Sequence, residues 1–242
     1  MNRYKVLFPF LFVSFIVCGQ RIVVKNDPTH DEKPIHFGFS LGLNFMDYNI
    51  RQSDWARENN YYTGVKEIKP GINIQAVSNL RLTEYLDLRC LPGISFGERV
   101  MYFIDNNDSA LYNLTSDGGF QISSSFLELP LTLKYKAHRD NNFRPFLVGG
   151  VNFRYDLAQK REYSIDQIIM IKPFDIYSEI GGGADFYLTF FKFAVELKYS
   201  VGMTNIFSET NPDGKVFNDN PVYTDMLNQL KSSIFLISFH FE

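Results

Sequence analysis

The 242-residue chain has one Trp, two Cys and four His, and its 24 Lys+Arg nearly balance 27 Asp+Glu, a net charge of -3. So small an imbalance lacks the basic footprint with which a nucleic-acid binder neutralises phosphates. Two cysteines make neither a disulfide scaffold nor a four-ligand zinc site. Mean hydropathy is slightly negative, at -0.15, which excludes a polytopic helical membrane protein. What is abundant is aromatic: 24 Phe and 14 Tyr, in a chain with few helix-favouring runs, point to strands. The length allows one barrel-sized domain or two small ones. Hydropathy near zero does not exclude a membrane β-barrel, because its strands are half polar.

Residues 1–19 read as a secretory signal peptide. Arg3 and Lys5 form the positive start, Val6 to Val17 the apolar run, and cleavage falls after Gly19. That run is too short for a permanent membrane helix. Lipid attachment at Cys18 ranks second, because Val17 stands where that processing wants a small side chain. Either way the chain leaves the cytoplasm. Cys90 is then the one mature cysteine, a small apolar wall residue with no intramolecular bridge to make. Residues 20–35 are polar, broken by proline and aperiodic, and read as a periplasmic tail.

From residue 36 to 242 the sequence alternates with period two in eight segments. His36 to Phe45 is the clearest. Asn73, Gln75, Asn79 and Arg81 oppose Ile72, Ile74, Ala76, Leu80 and Leu82. Asp87, Arg89, Gly93 and Ser95 oppose Leu86, Leu88, Cys90, Ile94 and Phe96, and Pro92 within this run predicts a bulge or local distortion. Further runs cover Phe126–Ala137, Val151–Leu157, Asp175–Tyr187 (blurred by Gly181–Gly183), Phe191–Ser200 and Ser233–Phe241. Short connections near Thr83-Glu84, His138–Asn142 and Leu188–Phe190 alternate with long ones near Asn49–Glu67, Ile104–Phe120, Ala158–Lys172 and Met203–Leu230. The expected fold is all-β: an eight-stranded antiparallel transmembrane β-barrel with short periplasmic turns and four longer extracellular loops in the outer membrane.

Alternation leaves open which face points outward, since a lipocalin-like barrel turns its apolar face in. Glycines on the polar face (Gly38, Gly42, Gly93), aromatics near strand ends (Tyr48, Tyr85, Tyr155, Phe174, Tyr187, Phe191) and a terminal aromatic strand favour lipid outside. The polar face then carries Arg81, Arg89, Lys134, Lys136, Arg154, Lys192 and Lys198 against Asp87, Glu98, Glu128, Asp156, Glu179, Asp185 and Glu196. A barrel of eight strands has room inside only for side chains, and buried charges must be paired. The expectation is a plugged lumen with a structural ion-pair network.

No catalytic constellation is legible. His30 lies in the tail, and His36, His138 and His240 fall at the periplasmic ends, so the long loops lack the usual general base. Metal binding by these rim histidines ranks below solvated or capping roles. Gly181–Gly183 does not open a helix after a strand, so it is no phosphate cradle. No cofactor, metal or small-molecule substrate is expected; the partners expected are outer-membrane lipid and other proteins. Among the loops, Trp55, Tyr61 and Tyr62 are candidate contact residues. Thr224 is placed to cap a short helix through Leu230 that carries Met226, Leu227 and Leu230, a second candidate docking surface.

Three stretches, LRCLPGISFGERVMYF (Leu88–Phe103), SSSFLELPLTLKYKAHRDNNFRPFLVGGVNFRYDL (Ser123–Leu157) and FAVELKYSVGMTNIF (Phe193–Phe207), resemble the PorT family of Bacteroidetes outer-membrane barrels. The resemblance implies a non-enzymatic accessory role in type IX protein secretion and gliding motility, with other secretion-system proteins as partners. It brings no catalytic residues. A generic structural or adhesive barrel is the alternative, and a narrow porin a further one.

Overall fold

The computed structural model describes residues 24–105, 119–158, 169–208 and 225–242; the signal segment and Thr224 lie outside the described residues. The period-two runs become strands β1 (Ile35–Gln52), β2 (Tyr61–Arg81), β3 (Leu86–Cys90), β4 (Gly93–Asp105), β5 (Phe120–Lys136), β6 (Phe143–Asp156), β7 (Met170–Ile171), β8 (Phe174–Tyr187), β9 (Lys192–Gly202), β10 (Phe207–Ser208) and β11 (Leu227–Phe241). The two-residue strands β7 and β10 pair with each other, apart from the main sheet. All the rest form one antiparallel meander, and β11 returns to β1 from Phe39↔Phe241 to Gln52↔Leu227, which closes the sheet into a barrel.

β3 and β4 are two halves of one stave, so the barrel has eight. Pro92, which offers no N–H, causes the break. Of the bulge or local distortion expected at Pro92, the structure shows the distortion without a bulge: Cys90↔Leu131 and Gly93↔Glu128 hold one register on either side of the break. One bond each way bridges the gap, from Leu91 N–H to the Pro130 carbonyl (3.1 Å) and from Ala76 N–H to the Pro92 carbonyl (2.9 Å). Side-chain phase therefore passes through the break unchanged.

The faces are inverted relative to a water-soluble protein. Outward positions carry Phe37, Phe39, Leu41 and Leu43 on β1, Leu127 to Tyr135 on β5 and Leu197 to Val201 on β9, with Phe37 73% and Ile180 70% exposed. On β1 this outward apolar series runs from Ile35 to Phe45, matching the roughly nine to eleven residues of a membrane-crossing strand. So large an apolar surface has no place in water. Tyr48 and Tyr187, read from the sequence as rim aromatics, instead point inward and are buried, while Tyr85, Phe174 and Phe191 are exposed as expected.

Short connections (82–85, 137–142, 188–191) gather at one end and longer ones (53–60, 106–119, 157–173, 203–226) at the other. The first long loop is shorter than the sequence suggests, because β1 runs on to Gln52 and β2 starts at Tyr61. Between them lies a short helix, Asp54–Glu58, capped by Ser53, whose Oγ accepts from the Ala56 N–H (3.1 Å). Of the helix expected through Leu230, Asp225 is helical, but Leu227 to Leu230 instead begin β11.

The long-loop end holds a feature of its own. The β1–β2 ladder stops at Phe45↔Pro70. Above that point β1 continues on β11, and β2 continues on β4 with register shifts at Val65/Glu67 and Lys69/Ile72. An opening of about 450 Å³, lined by Asp47, Tyr48, Val65, Lys66, Glu67 and Ile68, separates the diverging strands.

Candidate functional site: the filled lumen and its periplasmic rim

Inward positions of β3, β5, β6, β8 and β9 bring side chains far apart in sequence into one buried ionic cluster. Lys136 pairs with Asp87 (2.6 Å), Lys134 with Asp185 (2.7 Å) and Arg89 with Glu196 (2.7 Å). Glu179 joins Arg154 (3.2 Å) to Lys198 (3.0 Å), and Arg154 also reaches Glu128 (3.2 Å). Asn152 bridges the two carboxylates, donating to Glu128 (3.0 Å) and Glu179 (2.8 Å). Lys192 meets Glu242 at 2.6 Å, and His240 Nε2 lies 3.4 Å from Glu196. Taking each ion out of water costs several kcal/mol, so only such close counter-charges and hydrogen bonds make the arrangement tolerable.

Eleven of the fourteen charges expected inside thus meet as ion pairs. Asp156 is buried too, accepting the Ser125 and Ala158 N–H groups (3.0 Å each). Two depart from the expectation. Glu98 faces outward, half-exposed, 3.5 Å from Lys69. It follows Ile94 and Phe96 in phase, and its charge gave it a false place on the polar face. Arg81 sits at the rim, donating to the Thr83 carbonyl (3.4 Å). Lumen charges that the sequence reading missed include Glu242, the partner of Lys192, and Arg99, odd-numbered like Asp87, Arg89 and Ser95. Arg99 is buried over the Tyr48 ring (3.8 Å) and donates to Ser124 (2.7 Å) and Ser232 (3.1 Å).

Above the charges the lumen turns apolar. Met46, Phe126, Tyr177, Ile234 and Leu236 form one layer. A larger cluster then fills the extracellular mouth, with Tyr48, Ala56, Met101, Phe103, Ile122, Ile169, Ile206, Phe207, Met226, Leu227 and Leu230. Met226, Leu227 and Leu230 are therefore core, not docking surface, and Tyr61 packs half-buried against the same cluster. Trp55 stacks on Tyr61 (centroids 5.2 Å apart) and stays 40% exposed; Tyr62 is 43% exposed. These two are exposed aromatics at this end of the barrel.

At the opposite mouth, residues 24–34 lie against the short turns. Asp31 is their anchor. It accepts hydrogen bonds from Tyr187 Oη (2.8 Å), Arg144 (3.1 Å) and Arg139 (3.3 Å). Burial alone raises its pKa; the Tyr187 hydrogen bond and the Arg144 and Arg139 charges outweigh this and hold the carboxyl below its ordinary range. No signal in the sequence marks this role, because the three partners lie over a hundred residues away. Among the described residues, no cluster of three His, Cys, Asp or Glu is placed to hold a metal ion. His240 is buried beside Glu196 and does not line the rim.

A closed antiparallel meander with an apolar outside, a charged inside and loops of unequal length at its two ends is a transmembrane barrel of the outer membrane. The chain belongs to the outer membrane protein beta-barrel domain family, which it matches over residues 20–208. No curated protein matches it. Among solved structures, Neisserial surface protein A is similar (12% identity, TM-score 0.41, covering 86% of this chain and 98% of that one). So is Ail, the attachment invasion locus protein of Yersinia pestis, solved with the heparin analogue sucrose octasulfate (9%, 0.38, 85% and 96%). The N-terminal barrel domain of Pseudomonas aeruginosa OprF is a third (11%, 0.32, 83% and 96%).

Proposed function

We propose that this protein is a non-enzymatic, non-conducting outer-membrane barrel whose extracellular end is a platform for structural or adhesive contact. The observation that carries this reading is the filling of the lumen. Among the described residues, ion pairs occupy the periplasmic half, and mainly apolar side chains, with Arg99 among them, pack the extracellular half; a barrel of eight staves has room inside for little else. The strands run on past the membrane-facing belt and hold Trp55 and Tyr62 on a capped hairpin, a rigid place for aromatic contacts. Cells carrying Trp55→Ala/Tyr62→Ala at unchanged surface level are expected to lose at least half of their adhesion to host-derived or neighbouring-cell surfaces. Adhesion equal to wild type removes the adhesive part and leaves a structural barrel.

A second reading, an accessory part in type IX secretion and gliding motility with other secretion proteins as partners, is favoured by the resemblance of Ser123–Leu157 to PorT. Deleting the gene tests it: normal cargo export and normal surface motility in the deletant sink that role.

A further inference from the structure

Residues 24–34 belong to no strand, yet the barrel holds them as a binding site holds a ligand. The grip has two parts. Asn142 reads main chain in both directions, accepting the Asn26 N–H (2.8 Å) and donating to the Val24 carbonyl (3.0 Å). Arg139 adds bonds to the carbonyls of Asn26 and, at 3.2 Å, Asp27. Four residues further on, the Asp31 carboxylate sits among Tyr187, Arg144 and Arg139.

The receiving groups are set by the barrel itself. Arg144 donates to the Ala137 (2.7 Å) and Glu84 (2.9 Å) carbonyls, so two protein contacts orient its guanidinium independently of Asp31. The Arg139 guanidinium lies over the Tyr187 ring (3.4 Å) and donates to Asn141 (2.8 Å). Cradles oriented in advance bind at lower entropic cost. The held segment is compact: Asp27 takes a left-handed φ of 39°, and His30–Glu32 form a 3-10 turn closed by the Glu32 N–H donating to the Thr29 carbonyl (3.1 Å). A space of about 210 Å³ remains between the segment and the rim, bordered by Lys25, Pro28, Arg81 and His138.

We propose that the periplasmic rim is a recognition site for an acidic peptide in a compact turn and that residues 24–34, whose Asp31 sits in the 3-10 turn His30–Glu32, are its resident occupant. A periplasmic protein offering a carboxylate on such a turn enters by displacing them. The main-chain bonds to Asn142 and Arg139 accept any sequence, and the cradle supplies the requirement for the acid.

The test uses the full mature chain in detergent micelles, with heat-modifiable migration as proof of the barrel. The probe is a labelled peptide with the sequence of residues 24–34. In the wild-type chain, amide exchange over 24–34 is expected to be at least about tenfold slower than in the free peptide. Asp31→Asn in the chain should raise that exchange about tenfold and let the probe bind saturably, as loss of charge-assisted bonds implies. A probe carrying Asn in place of Asp31 should bind about tenfold more weakly, and adding Arg144→Gln to the chain should abolish binding. Three results overturn the proposal: exchange in wild type as fast as in the free peptide, no probe binding to a correctly assembled Asp31→Asn chain, or equal affinity for the two probes. The wild-type exchange measurement decides alone if the variant does not assemble.

Discussion

Arg154 shows how much one lumen side chain carries. Its guanidinium serves Glu128, Glu179 and Ser200 and lies over the Tyr177 ring. Arg154→Met strands the buried Glu128 carboxylate, takes one of two counter-charges from Glu179, which keeps Lys198, and is expected to cost about 3–5 kcal/mol, read as a lower urea midpoint in detergent. Lys134 and Asp185 allow a contrasting experiment, because they bond almost exclusively to one another. Either single apolar replacement should destabilise strongly. The double replacement Lys134→Met/Asp185→Leu should fall within about 1–2 kcal/mol of wild type, because no uncompensated charge is left; a double variant as weak as the singles refutes the pairing. Asp31 predicts a pH effect with a definite sign. Its carboxyl is held below its ordinary value by Tyr187, Arg144 and Arg139 against the opposing effect of burial. The stabilisation it gives residues 24–34 is thus complete above about pH 4 and is lost as the pH falls through the depressed folded value. Amide protection over 24–34, corrected for the intrinsic pH dependence of exchange, should be equal at pH 7 and pH 5 and fall only as the pH drops below about 4. A loss of protection already between pH 7 and pH 5 contradicts this.

Among the elements, the β5–β6 pair depends on a close approach at Gly150. A Cβ there would lie 2.2 Å from the Leu131 carbonyl oxygen and 2.7 Å from Thr132 Cα. Both are backbone atoms that cannot swing aside. Gly150→Val should therefore block barrel assembly, seen as loss of the fast-migrating, heat-modifiable band, whereas Gly149→Ala, whose Cβ meets nothing closer than 3.8 Å, should assemble. At this scale the sequence was most legible. Period-two alternation located all eight staves and the inward phase of β2, β5, β6 and β9, since a slip of one residue would invert every side chain. Strand ends were less legible. Nothing in the alternation marks where lipid stops, so Asn49–Glu67 reads as loop although β1 and β2 extend into it. Glu98 misled for the same reason: beyond the belt an outward charge is solvated and harmless. Met226, Leu227 and Leu230 have spacing that suits a helix, but burial in the mouth fixes them in and beside β11.

At the scale of the whole molecule, the described residues pack the lumen in ionic and apolar layers, and the proposed function predicts electrical silence. Purified barrel in planar bilayers should show no steady conductance, and Arg89→Ala/Glu196→Ala should produce at most brief events, because the apolar layers persist. Steady current through wild type refutes the filled lumen. The seam between β1 and β2 has a consequence for life in a crowded membrane. Outer-membrane barrels diffuse in two dimensions and collide side on, so a bare strand edge at a fixed height invites neighbours to zip together. Here the edges exposed by the parting at Phe45 and Pro70 face each other across their own opening instead of facing the neighbours. Proline at the parting, two register shifts along β2 and the charges of Lys66, Glu67 and Lys69 make that edge a poor template. Neighbouring barrels are thus offered little edge on which to pair.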